Sequence, residues 1–137
     1  MTNVKKNKIL FFFLAVAGLV IGCSAAVEDQ GYQDIDAIQA AGLIKQEPVL
    51  ILDVRTPEEY REGHIKGSVL IPVQELDREY TKISNHLQTP VLVYCRSGNR
   101  SVTASKILVS KGFRCLYHMK GGIKDWIRHG LPLEKSP

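Results

Sequence analysis

The chain has 137 residues, 45% hydrophobic and 23% charged. This is ordinary globular composition and about one domain's length on the usual span of ~100–200 residues, so a large multidomain enzyme is excluded. Eleven glycines and six prolines are near average usage, and nothing repeats with a long period, which argues against low-complexity or collagenous architecture. The net charge of +4 is misleading. Lys5, Lys6 and Lys8 account for three of the eighteen basic residues and no acid precedes them, so residues 23–137 carry fifteen bases against fourteen acids. A nucleic-acid partner loses its electrostatic support.

After those lysines, Ile9 to Ile21 is apolar apart from Gly18. Thirteen residues are short for a spanning helix, which needs ~20. A positive segment, an apolar segment and a small-residue exit form the pattern of a secretory signal. Val20-Ile21-Gly22-Cys23 resembles a bacterial lipobox. The resemblance implies that residues 1–22 are a signal peptide and that Cys23 is lipidated. The protein would then sit in the bacterial cell envelope, anchored to a membrane surface and facing the periplasm or the exterior. Cleavage after Ser24-Ala25-Ala26, giving a soluble periplasmic protein, and an uncleaved hydrophobic anchor are the alternatives. Residues 23–31 read as a tether and 32–134 as the folded body.

Within the body, Val49 to Val54 is a near-continuous aliphatic run closing on a carboxylate, the pattern of a buried strand in a parallel sheet. Thr56-Pro57-Glu58-Glu59 predicts a helix start with a capping box, running to about Arg61 and ended by Gly63. Ser68 to Ile71 is a second short apolar run, stopped by Pro72. Leu76, Tyr80, Ile83 and Leu87 recur at helical spacing through residues 74–86. Val91 to Tyr94 is the strongest strand. It leads into Cys95-Arg96-Ser97-Gly98-Asn99-Arg100-Ser101 and then a helix on which Val102, Ala104, Ile107 and Leu108 make an apolar face up to Lys111-Gly112. A strand at Cys115 to Met119 and a helix from Ile123 to His129, with Trp126 inward, complete the chain. Alternating strands and helices predict an α/β domain with a mostly parallel sheet, whose ligands bind beyond the carboxyl ends of the strands.

Cys95 stands at such an end. The small, polar loop after it opens a helix, so backbone amides and the helix dipole favour negative charge there, and Arg96 and Arg100 add positive charge. Those surroundings favour thiolate over thiol and make Cys95 a candidate nucleophile.

Three ordered motifs, LDVRTPEEYREGHIKGSVLIP at 52–72, CRSGNRS at 95–101 and KGGIKDW at 120–126, resemble the rhodanese-like, or sulfurtransferase, domain over about residues 32–132. The resemblance implies a central, mostly parallel five-stranded sheet flanked by helices. It also implies that Cys95 accepts the outer sulfur of thiosulfate or a related donor as a persulfide and passes it to cyanide or a thiol. The amides of residues 96–100 are expected to hold the anionic terminal sulfur. Arg96 and Arg100 are candidates for binding an anionic donor, with Arg100 equally suited to bond a carboxylate. Ser97, Asn99 and Ser101 are candidate loop and substrate contacts, and Gly98 is expected to supply a special backbone conformation. Asp53 and Arg55 belong to the family's Asp-Val-Arg motif. Arg55 either faces the site or makes a structural ion pair.

A phosphatase or arsenate reductase of related fold also uses a loop thiolate. Those sites place five residues between Cys and Arg, whereas four separate Cys95 from Arg100, Ser101 occupies the longer pattern's position and Tyr94 precedes the cysteine where His is frequent. A non-enzymatic persulfide carrier or binding module for a partner protein is the other reading. The four histidines have no metal-ligand spacing and the three cysteines no CxxC pair, so no metal or organic cofactor is implied. Cys95 and Cys115 lie at opposite ends of their strands, ~12 Å or more apart at ~3.3 Å per residue. No disulfide between them is expected, and Cys115 reads as a small buried hydrophobe.

Overall fold

A computed structural model describes residues 29–137; the signal and lipidation expectations at residues 1–22 and Cys23 lie outside them. Five strands are present: β1 (Gln33–Ile35), β2 (Leu50–Asp53), β3 (Val69–Leu70), β4 (Val91–Tyr94) and β5 (Leu116–Met119). The helices are α1 (Ala37–Gln46), α2 (Pro57–Glu62), α3 (Val73–Glu79), α4 (Asn99–Ser110) and α5 (Gly122–Arg128). The sheet order is β1-β5-β4-β2-β3 and every pairing is parallel. This is the α/β architecture that the alternating pattern predicted.

Because successive strand residues point to opposite faces, β4 builds two cores at once. Val91 and Val93 pack with Leu52, Leu76, Ala104 and Leu108 on the side of α3 and α4. Leu92 and Tyr94 pack with Ile51, Met119, Ile123 and Trp126 on the side of α1 and α5. Burial on both faces explains why β2 and β4 are continuous apolar runs instead of alternating ones. The buried face of α4 is Ser101, Ala104, Ser105 and Leu108. Val102 and Ile107, expected on the apolar face, are only partly buried.

Two segments depart from the sequence expectation. Residues 74–86 are not one helix: α3 stops at Glu79 and a 3₁₀ segment, Tyr80–His86, follows with Ile83 at φ −122°. The kink keeps Leu76 and Ile83 both in the core. Residues 32–48, to which no element was assigned, hold β1 and α1. The sequence signal for α1 is a capping box: Gln39 N–H donates to the Asp36 carboxylate and Asp36 N–H to the Gln39 side chain.

Candidate functional site

β4 ends at Tyr94, and Cys95, 1% exposed, sits at its carboxyl end under the turn that leads into α4. The turn closes on the sulfur. Gly98 N–H donates to Cys95 Sγ at 3.1 Å, Ser101 N–H at 3.4 Å, and Ser101 Oγ is 3.3 Å away. Gly98 makes this possible. Its φ is +104°, and a Cβ there would collide with the carbonyl oxygen of Lys120.

The outer side of the turn is held by α5. Ile123 N–H donates to the Cys95 carbonyl at 2.9 Å and Lys124 N–H to the Arg96 carbonyl at 3.1 Å. In a trans peptide the C=O and the next N–H point in opposite directions, and no peptide bond among the described residues is cis. The amides of Arg96 and Ser97 therefore point away from α5, toward the hollow of the turn. Gly122, at φ +62°, lets α5 approach so closely that a Cβ would strike the Arg96 carbonyl. The KGG segment thus supports the cysteine loop from outside.

The arginines separate into different roles. Arg100 is clamped by Glu59, with two 2.8 Å bonds from its guanidinium to the two carboxylate oxygens. That contact above all holds the Glu59 carboxyl down to about 2. Glu59 also completes the α2 capping box with Thr56, so one carboxylate ties α2 to the start of α4. Arg55 is buried against the fully buried Asp53, with Nη2–Oδ2 at 2.6 Å, and also donates to the Gly63 carbonyl at 2.7 Å. Of the two roles expected for each residue, Arg100 and Arg55 both occupy the carboxylate-bonded one. Arg55 nevertheless contributes to the wall of a cleft of about 350 Å³ beside the loop, with Arg96, Lys124, Ile127 and Glu62. Arg96 and Lys124 are exposed and make no salt bridge among the described residues. Ser97 and Asn99 are exposed on the loop, Asn99 as the first residue of α4.

Sequence reasoning missed His118 and Asp34. His118 on β5 is buried, with Nε2 2.8 Å from Ser101 Oγ and Nδ1 2.7 Å from Asp34 Oδ1 on β1. The available signal was a lone polar residue in an otherwise apolar strand. Cys95 is a free thiol and is not joined to Cys115. Cys115 is buried. Among the described residues, no cluster of three His, Cys, Asp or Glu has metal-binding geometry, and no helix is long and apolar enough to cross a membrane.

A sulfur ringed by N–H and O–H donors, at a strand end beside exposed cations, is suited to carry negative charge and to meet an anionic reactant. Residues 36–129 match the family described as the rhodanese-like domain. The chain is 36% identical over 91 residues to a sulfurtransferase of Allochromatium vinosum, covering 66% of this chain and 83% of that protein. It is 34% identical over 98 residues to the thiosulfate sulfurtransferase GlpE of Coxiella burnetii, covering 72% of this chain and 90% of that one. A rhodanese-related protein from Thermoplasma volcanium superposes with a TM-score of 0.67 at 36% identity, over 77% of this chain and all of that one.

Proposed function

Because the chain belongs to the rhodanese-like domain family, we propose that it is a sulfurtransferase that carries a sulfane sulfur on Cys95, from thiosulfate or a related donor to cyanide or a thiol. The Cys95 thiolate attacks the outer sulfur of thiosulfate. A sulfur–sulfur bond forms at Sγ, the donor's own sulfur–sulfur bond breaks, and sulfite leaves with the electron pair. Cyanide or an acceptor thiolate then attacks the same outer sulfur, forming thiocyanate or a persulfide and returning Cys95 as thiolate. No general base is needed at the sulfur that is transferred.

The observation that carries this reading is the convergence of Gly98 N–H, Ser101 N–H and Ser101 Oγ on Cys95 Sγ, with the Arg96 and Ser97 amides aimed into the same hollow. Donors placed before the reaction stabilise charge on the resting thiolate and on the persulfide's terminal sulfur without reorganising. Arg96 and Lys124 at the adjoining cleft supply the attraction for an anionic donor and for departing sulfite, since Arg100 is engaged by Glu59.

The test is intact mass after incubation with thiosulfate, then after cyanide, alongside Cys95→Ser. Gain of one sulfur by the wild type alone, removed as thiocyanate over repeated turnovers, is the expected result. Loading with no turnover on small acceptors would make the protein a carrier. No loading from thiosulfate or any persulfide donor would overturn both.

For the N-terminus the proposal is export, removal of residues 1–22, lipidation of Cys23 and a tether through residue 31 that holds the body at 32–134 on an envelope membrane. The support is Lys5, Lys6 and Lys8, the apolar run Ile9–Ile21 and Val20-Ile21-Gly22-Cys23. Mature protein from the membrane fraction should begin at an acylated Cys23, and Cys23→Ser should abolish both the acyl mass and the fractionation. Unacylated Cys23, free or held in a disulfide, would overturn this.

A further inference from the structure

Behind Cys95 lies a pair of groups that the sulfur transfer above does not use. Asp34 on β1 and His118 on β5 are direct partners in the parallel register. Asp34 Oδ1 is 2.7 Å from His118 Nδ1. His118 Nε2 is 2.8 Å from Ser101 Oγ and 3.2 Å from the Gly98 carbonyl oxygen. Ser101 Oγ is 3.3 Å from Cys95 Sγ. Carboxylate, imidazole, hydroxyl and thiol thus form one unbroken chain, with His118 and Ser101 buried and Asp34 42% exposed at its outer end.

The protons in this chain follow from what each group can donate. An ionised carboxylate only accepts, so Nδ1 carries its hydrogen. If Nε2 bears a lone pair, Ser101 O–H must donate to it and the hydroxyl can only accept from a Cys95 S–H. That lone pair also faces the Gly98 carbonyl, which cannot donate. If Nε2 bears a proton, it serves Ser101 Oγ and the Gly98 carbonyl, and Ser101 O–H, which also lies 3.1 Å from that carbonyl, is free to turn and donate to a thiolate. Both arrangements give every donor an acceptor; imidazolium with thiolate is the one in which the bonds at Nε2 and at Sγ are both charge-assisted.

We propose that His118, held by Asp34, is a positioning residue that takes up the Cys95 thiol proton through Ser101 and keeps the nucleophile ionised. The S–H bond breaks as its proton passes to Ser101 Oγ, the Ser101 proton passes to Nε2, and no redox change occurs. The other groups facing this chain are the edge of the Tyr32 ring, 5.8 Å from the imidazole, and Arg100, whose guanidinium is paired with Glu59. The proposal rests on Cys95 as the nucleophile, and its test is chosen to be independent of sulfur transfer.

The pH dependence of Cys95 thiolate, read by ultraviolet absorbance and by iodoacetamide alkylation against a Cys95→Ser background, is compared in wild type, His118→Gln and Asp34→Asn. Glutamine keeps a donor near Ser101 but takes up no proton. Wild-type thiolate should persist to a pH about one unit lower than in His118→Gln, as expected for loss of a nearby opposite charge. Alkylation at mildly acidic pH should be roughly tenfold slower in that variant, and Asp34→Asn should fall between. A purely structural role would lower reactivity evenly at all pH values, and superimposable profiles would overturn the proposal. If circular dichroism shows His118→Gln unfolded, Asp34→Asn, at a partly exposed carboxylate, decides by the same criterion. The expected profiles together with failure to load sulfur would sink the sulfur-transfer reading and leave the proton chain standing.

Discussion

Glu59 is the joint between the capping box of α2 and the cysteine loop, and replacing it by glutamine isolates its charge. A glutamine oxygen still accepts from Thr56 N–H, as capping boxes allow, but the paired 2.8 Å contacts to Arg100 lose their ionic character. The Glu59 carboxyl is lowered from 4.5 to about 2, chiefly by Arg100. That difference corresponds to ~3.4 kcal/mol at ~1.36 kcal/mol per unit. With the Arg100 and Glu59 side chains 32% and 25% exposed, solvent screening reduces it to ~1–2 kcal/mol. The folded-state value lies below the unfolded one. The stabilisation is therefore complete above about pH 4.5 and is lost as the pH falls toward 2. Glu59→Gln should cost ~1–2 kcal/mol at pH 7, lowering Tm by about 5–10 °C for a domain of this size. By pH 3 the gap from wild type should shrink to less than half. Denaturant unfolding at both pH values, with Arg100→Gln and the double variant to close a cycle, measures it. Equal cost at pH 7 and pH 3, or fully additive single variants, would refute the reasoning.

Three further outcomes follow from the same geometry. Arg55→Ala strands the fully buried Asp53 without its partner and should cost ~3–5 kcal/mol in denaturant unfolding; a small loss of stability with a large rise in KM would make Arg55 a substrate ligand instead. Gly98→Ala forces a side chain into a φ of +104° and against the Lys120 carbonyl. It should cost ~1–3 kcal/mol and slow both alkylation and sulfur loading of Cys95; an unchanged loading rate would show that the turn does not need this shape. Arg96→Ala removes an exposed cation next to the cleft and should raise KM for thiosulfate by ~5- to 30-fold at low salt, the equivalent of ~1–2 kcal/mol. Steady-state kinetics should show that rise shrinking as salt is added, and a salt-independent rise would point to a shape effect.

Much of the framework was legible because its signals are local. The Val91–Tyr94 run and the Leu50–Asp53 run announce doubly buried strands, and Thr56 with Glu59 announces a helix start within four residues. β1 was not legible: Gln33-Asp34-Ile35 is three residues at a sheet edge, with one of them buried, and a pattern that short carries no period. The break after α3 was hidden for a different reason. Leu76, Tyr80 and Ile83 keep helical spacing through a 3₁₀ segment, so the apolar pattern does not reveal where the hydrogen bonding changes.

The site divides along the same line. Cys95, Gly98 and Ser101 lie within seven residues, and their meeting at one sulfur is set by a tight turn ahead of a helix, which is why the sequence by itself pointed to Cys95 and its loop as the candidate site. It also offered two roles each for Arg55 and Arg100, and no role at all for Asp34 and His118. Only the tertiary structure shows what these residues bond to. Arg100 meets a carboxylate 41 residues away, and Asp34 meets His118 across 84 residues through the β1–β5 register. α5 reaches back to bond the carbonyls of Cys95 and Arg96. Local backbone preference acts over a few residues, whereas the partner of a charge is set by which strands and helices pack together, a property of the whole domain.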